Sequence, residues 1–259
     1  MIRSSLLAAV ALAASLFAAG CNTMTAAESA PPLPGTAWVL SSLGGQAPLA
    51  GTPVTMQFED GVVAGSDGCN RYRNTFTAQG GKVELGSRGA STMMACPTPV
   101  MKQAEAFTAV LGKAKGYRVS GATLELLGAD GAVLATFAAQ SQSLAGTSWK
   151  VTSFNNGRQA VVSAISGTDL TMAFSEDGRV AGSSGCNRYN AAYTQDGRKL
   201  AFGPAAATRM ACATPEGVME QEQQFLKALG TVATARVEGD RVEMRTADDA
   251  LAMMLVKAK

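Results

Sequence analysis

The chain of 259 residues contains no histidine. Imidazole is therefore excluded as general base, proton shuttle and metal ligand. Charged residues are sparse at 16%, and the 22 Lys+Arg against 20 Asp+Glu leave a net charge of +2 with no block of like sign. No basic stripe is available to neutralise phosphates, so nucleic acid is not an expected partner. Beyond the first twenty residues no apolar run approaches the roughly eighteen that a spanning helix needs. A Ser-centred elbow of the hydrolase type is missing, and so is the lysine-hydroxyl pair of a phosphate loop. These gaps make a non-enzyme without cofactor or metal the expectation, although a Ser–Lys dyad or a carboxylate pair stays open. The acidic doublets Glu59-Asp60, Glu176-Asp177 and Asp248-Asp249 read better as hairpin turns than as such a pair.

What is present begins with a leader. The stretch MIRSSLLAAVALAASLFAAGC has one positive charge at Arg3, an apolar run from Leu6 to Ala19 and small residues before Cys21. Residues 1–20 read as a secretory signal. Their end, AAGC, resembles the lipobox of bacterial lipoproteins, which makes Cys21 the lipidation site. Acyl chains contribute about 0.8 kcal/mol per buried CH2, so several together hold a protein firmly on a bilayer. The residue after the cysteine is Asn22, not the aspartate of inner-membrane retention. The expected location is the outer membrane, facing the periplasm. Residues 21–34 turn to Thr, Ala, Ser and Pro and end on Pro31, Pro32 and Pro34, the composition of a tether with a stiff end.

The rest is one unit written twice. GTAWVLSSL from Gly35 pairs with GTSWKVTSF from Gly146, GSDGCNRY from Gly65 with GSSGCNRY from Gly182, and STMMAC with ATRMAC. This gives one domain over 35–139, a linker over 140–145 and a second domain over 146–259. The linker is short enough to hold the two at close range. Within each copy short apolar runs alternate: Val54, Met56 and Phe58, like Leu170, Met172 and Phe174, turn one strand face inward. One helix follows the second cysteine of each copy. Thr98-Pro99 and Thr214-Pro215 are its expected starts, and Gly112 and Gly230 its expected stops. About eight strands and one helix per copy imply an α+β, mainly β fold. Two small, imperfectly closed antiparallel barrels, each plugged or covered by its helix, are expected, with an open sheet on one helix as the rival.

Four cysteines besides Cys21 stand at matching places, two per copy. In an oxidising compartment the repeat selects Cys69 with Cys96 and Cys186 with Cys212, so that each domain closes its own bond. Closing loops of roughly 26 residues stabilises each domain by about 3.5 kcal/mol in the chain-entropy account. A nucleophilic cysteine is the competing reading, with Arg71 or Arg188 lowering a thiol pKa, but it has no histidine to serve it. Asn70, Arg71, Tyr72, Asn187, Arg188 and Tyr189 allow two readings as well. They either satisfy the turn, fill the core and pair with carboxylates, or form a binding surface.

GTxW, a strand ending in GCNRY, then TRMAC and an amphipathic helix together resemble the META domain, the module of the HslJ-like bacterial heat-shock lipoproteins. The likeness covers nearly all of 35–139 and 146–259. It implies a small barrel-like fold with a paired-cysteine disulfide, but no defined activity. Met93 departs from the pattern where the second copy keeps Arg209, which belongs to the possible binding surface. The expected function is a non-catalytic interaction or stress-tolerance module in the envelope. Its partners would be the membrane through Cys21 and an envelope protein. The alternative is a carrier for a lipid or small hydrophobic molecule, in a cleft near Met93, Met94, Met101, Met210 and Met219.

Overall fold

The computed structural model describes residues 31–86 and 89–258. The leader, Cys21 and the tether up to residue 30 lie outside the described residues. The first repeat runs β1 (Thr36–Leu43), β2 (Thr55–Glu59), β3 (Val62–Ser66), β4 (Arg71–Gln79), β5 (Lys82–Leu85), β6 (Ala90–Ser91), α1 (Thr98–Lys113), β7 (Gly116–Ser120), β8 (Thr123–Leu127) and β9 (Val133–Ala139). The second runs β10 (Thr147–Asn155), β11 (Val161–Ser163), β12 (Thr171–Phe174), β13 (Arg179–Ser183), β14 (Arg188–Asp196), β15 (Lys199–Phe202), β16 (Ala206–Ala207), α2 (Val218–Leu229), β17 (Val232–Glu238), β18 (Arg241–Thr246) and β19 (Leu251–Lys257).

Both repeats close into eight-stranded antiparallel barrels. The first ring is β3-β2-β1-β9-β8-β7-β5-β4, sealed by β3 pairing with β4. Its counterpart is β10-β12-β13-β14-β15-β17-β18-β19, sealed by β10 pairing with β19. Closure is thin at one seam in each, where a single residue pair joins the strands: Lys82 with Gly116, and Lys199 with Thr234. The short strands β6, β11 and β16 attach outside the rings. Full closure leaves no long edge open to a foreign strand.

The inward faces follow the sequence pattern. Val54, Met56 and Phe58, and likewise Leu170, Met172 and Phe174, are buried, and each set belongs to its own repeat's core. Each helix adds its apolar face to that core. The Phe107 ring packs against Tyr72 and Phe137, with centroids 5.6 and 6.4 Å away, and Phe225 meets Tyr189 and Phe154 at 5.4 and 6.1 Å. The GTxW motif is a polar relay at the barrel entrance. The Trp38 indole N–H donates to Thr36 Oγ1 (2.7 Å), which in turn donates to the Leu33 carbonyl (2.6 Å). Trp149, Thr147 and Leu144 repeat the arrangement.

Three sequence expectations need correction. Leu33 falls inside the segment read as tether, yet it is fully buried in the first core, as Leu144 from the linker is in the second. Flanking prolines and small residues concealed one large apolar side chain. Helix α2 begins only at Val218, because Gly217 holds a left-handed conformation (φ 80°) that separates Pro215 from the helical turn. Helix α1 starts at Thr98 with Pro97 as its N-cap and no side-chain cap, and it continues through Gly112 to Lys113. Nothing lies within 4 Å of where a Cβ on Gly112 would sit. Gly112→Ala is therefore expected to stabilise the first repeat by up to about 1 kcal/mol, read as a higher denaturant midpoint at unchanged slope.

Candidate functional site

Each GCNRY loop is a structural knot. Cys69 is bonded to Cys96 and Cys186 to Cys212, with Cα atoms 6.0 Å apart in both pairs. Asn70 ties the loop to the returning chain: its Oδ1 accepts from Thr92 Oγ1 (2.9 Å) and the Met94 N–H (2.7 Å). In the second repeat Asn187 Oδ1 accepts from Thr208 Oγ1 (2.6 Å) and the Met210 N–H (2.7 Å). The tyrosines lock the neighbouring strand, since Tyr72 donates to the Thr55 carbonyl and Tyr189 to the Thr171 carbonyl, both at 2.9 Å. Burial pushes both phenols well above the usual range, and for Tyr72 the Glu238 and Asp67 carboxylates push further in the same direction. Both stay neutral donors at any physiological pH.

Two glycines make the knot possible. A Cβ on Gly65 would lie 2.0 Å from the Thr55 carbonyl oxygen, and one on Gly182 would lie 1.9 Å from that of Thr171. Gly68 and Gly185, before the cysteines, combine left-handed φ values of 97° and 106° with a Cβ position under 3.0 Å from Gln103 or Gln221. Those glutamines fasten the helix to the loop that precedes the knot. Gln103 Oε1 accepts the Leu49 N–H (2.7 Å), and Gln221 Oε1 accepts that of Ile165 (2.6 Å).

One part of the knot is built differently in the two copies. In the first, Asp67 Oδ1 accepts the N–H groups of Cys69 (2.8 Å) and Asn70 (2.6 Å). The second has Ser184 at that place, and the carboxylate comes from helix α2 instead. Glu222, which stands where α1 has Ala104, accepts from the Asn187 N–H and Nδ2 (both 2.9 Å) and from Ser184 Oγ (2.7 Å). Loop aspartate with helix alanine has become loop serine with helix glutamate. The backbone donor served is the same.

The arginine that leaves each knot has two fates. Arg71 Nη2 lies 2.9 Å from Glu238 Oε2 of the second repeat, and its Nη1 lies 3.7 Å from Glu243. Glu238 is buried and also accepts from Thr55 Oγ1 (2.9 Å) and Arg236 (3.2 Å). Gln57 donates to the Val237 carbonyl (2.9 Å). From the other side, linker residues Gln142 and Gln140 each exchange a pair of hydrogen bonds with the backbone of Val237 and Gly239. The two barrels thus meet through the β17–β18 hairpin set on the β2–β3–β4 face. Arg198 with Glu59 (2.7 Å) adds an ion pair that is half exposed and contributes little.

Arg188 is exposed and enters none of the ion pairs found among the described residues. It lines an open groove of about 640 Å³ with Thr171, Gly182 and Ala207. The counterpart beside Arg71 holds about 340 Å³, and Arg236 of the second repeat forms part of its wall.

Of the residues singled out from sequence, Asn70, Tyr72, Asn187 and Tyr189 are turned inward to serve the knot, and Arg71 joins the two repeats. Arg188 and Arg209 are exposed. Cys21 lies outside the described residues. The methionines do not gather round one cleft: Met93, Met94 and Met210 are exposed, and the sulfurs of Met101 and Met219 face Cys69 and the Cys212 N–H. Sequence reading missed Asp67, Glu222, Gln103, Gln221 and Glu238. Aligning the repeats residue by residue exposes the first two, as a pair of positions that differ in opposite senses.

A family model described as META domain matches the chain twice, over residues 31–141 and 142–259. Among solved structures, the chain is similar to a protein from Burkholderia xenovorans determined by NMR. Identity is 27%, over 45% of this chain and 84% of that one, with a TM-score of 0.37. It is also similar to a DUF4847 family protein from Bacteroides vulgatus, with 15% identity over 45% of this chain and 95% of that one, and a TM-score of 0.33. No curated protein matches the chain.

Proposed function

The chain belongs to the META domain family, as two consecutive copies, and from that premise we propose that it is a lipoprotein of the bacterial envelope. It would be anchored through Cys21 to the outer membrane and face the periplasm. Its two barrels act there as a non-catalytic interaction or stress-tolerance module. The observation that carries this reading is the use the chain makes of its own knots. The face beside Arg71 holds a protein surface, the β17–β18 hairpin, through a buried carboxylate. Disulfides in both repeats fit an oxidising compartment. The carrier reading has less behind it, because the methionines that would line its cleft are exposed or packed on the disulfides.

Two measurements test the proposal. Cys21→Ser is expected to move the protein from the outer-membrane fraction to the soluble periplasm, and an unchanged distribution would remove the anchor. A photo-crosslinking residue in place of Asn190, beside Arg188, is expected to trap a discrete envelope protein in intact cells. Capture at background level only would end the interaction reading.

A further inference from the structure

The first repeat shows what its arginine face is for, and the second repeat presents the same face uncovered. Thr55 Oγ1 accepts the Ser66 N–H (2.9 Å), which leaves its own proton for Glu238 Oε1. Thr171 Oγ1 accepts the Ser183 N–H in the same way (3.0 Å), and no acceptor for its proton is found among the described residues. Arg188 stands where Arg71 stands. The hydroxyl and guanidinium that grip a carboxylate in the first repeat are therefore both present in the second, on an open groove of about 640 Å³ that includes Thr171 and Ala173, whose counterparts Thr55 and Gln57 are engaged by the hairpin. Ala173 replaces Gln57, so the groove has room for a side chain that the first repeat would exclude.

We propose that this face of the second repeat is a docking site for a β-hairpin of another protein, one that carries a carboxylate where the chain's own hairpin carries Glu238. The proposal deepens the interaction reading by naming the surface and the partner's chemistry. Charge complementarity selects the occupant, because an arginine and a free hydroxyl proton together match a carboxylate. A second copy of this chain is a poor fit. The first-repeat counterpart of β17–β18, the β7–β8 hairpin, has Ser120 at the place of Glu238, and its Glu125 is already held by Arg118 (2.7 Å). End-to-end growth of the kind a repeated head-to-tail contact invites is thereby disfavoured.

The test uses the full isotope-labelled chain and a cyclised peptide reproducing Arg236–Glu243. Amide signals of Thr171, Gly182, Arg188 and Ala207 are expected to shift on titration. A peptide with glutamine in the Glu238 position is expected to bind about tenfold more weakly or worse, as is the Arg188→Ala protein. Absence of shifts at about 1 mM peptide, equal binding of the glutamine peptide, or shifts confined to the first repeat would overturn the proposal. Concentration-dependent dimerisation abolished by Arg188→Ala would overturn it in favour of a second copy. The crosslinking experiment is independent of the peptide. Cellular capture without peptide binding sinks this proposal and leaves the interaction reading intact, and peptide binding without capture does the reverse.

Discussion

Glu222→Ala is expected to destabilise the second repeat by about 3 kcal/mol, and Ser184→Asp added to it is expected to restore most of that loss. The single change leaves the Asn187 N–H without a partner inside a buried loop, and it removes one of two acceptors from Asn187 Nδ2, which keeps the Met210 carbonyl, and from Ser184 Oγ, which keeps the Asn187 carbonyl. Each orphaned buried donor costs about 1–3 kcal/mol, which sets the estimate. Restoration follows from the first repeat, where Asp67 at the matching position serves the Cys69 and Asn70 N–H groups with Ala104 on the helix. Denaturant unfolding of the four proteins in the cycle measures the coupling directly. Additive effects, with no restoration in the double variant, would show that the two carboxylates are not alternative solutions to one need.

Gly182→Ala is expected to be worse still, at about 4 kcal/mol or more, and to leave the second repeat largely unfolded. The added carbon would sit 1.9 Å from the Thr171 carbonyl oxygen. That oxygen cannot retreat freely, because it accepts the Tyr189 hydroxyl and lies on the strand paired with β13. Gly65→Ala places the same burden on the first repeat through Thr55. The contrast with Gly112→Ala, expected to stabilise, separates a steric requirement for glycine from mere occurrence of glycine. Near-ultraviolet circular dichroism of Gly182→Ala reads the result, and a native-like spectrum with an unshifted midpoint would contradict the close approach.

Much of this architecture is legible in the sequence because it is local or repeated. Alternation at Val54, Met56 and Phe58 fixes a strand face within five residues, and the duplicated cysteines select their own pairing. What escapes a linear reading depends on contacts made across the fold. Leu33 is read as tether because three prolines surround it, although the matching Leu144 one repeat later carries the same signal. The exchange of Asp67 for Glu222 is hidden because a loop and a helix, far apart in the chain, serve one backbone donor. Arg71 and Arg188 occupy identical words of sequence. Only the position of Glu238 in the fold divides them into an internal joint and an open face.

That division is the central claim, and comparing Arg71→Ala with Arg188→Ala in calorimetric unfolding tests it most directly. Arg71→Ala removes a cation from the buried Glu238 carboxylate and is expected to weaken the contact between repeats by about 1–2 kcal/mol, splitting the melting of the two barrels. Arg188→Ala is expected to melt as the parent does, within about 0.5 kcal/mol, since that side chain makes no ion pair or hydrogen bond among the described residues. Equal destabilisation by the two substitutions would contradict the account, because Arg188 would then be holding the fold together and would not be free to meet a partner.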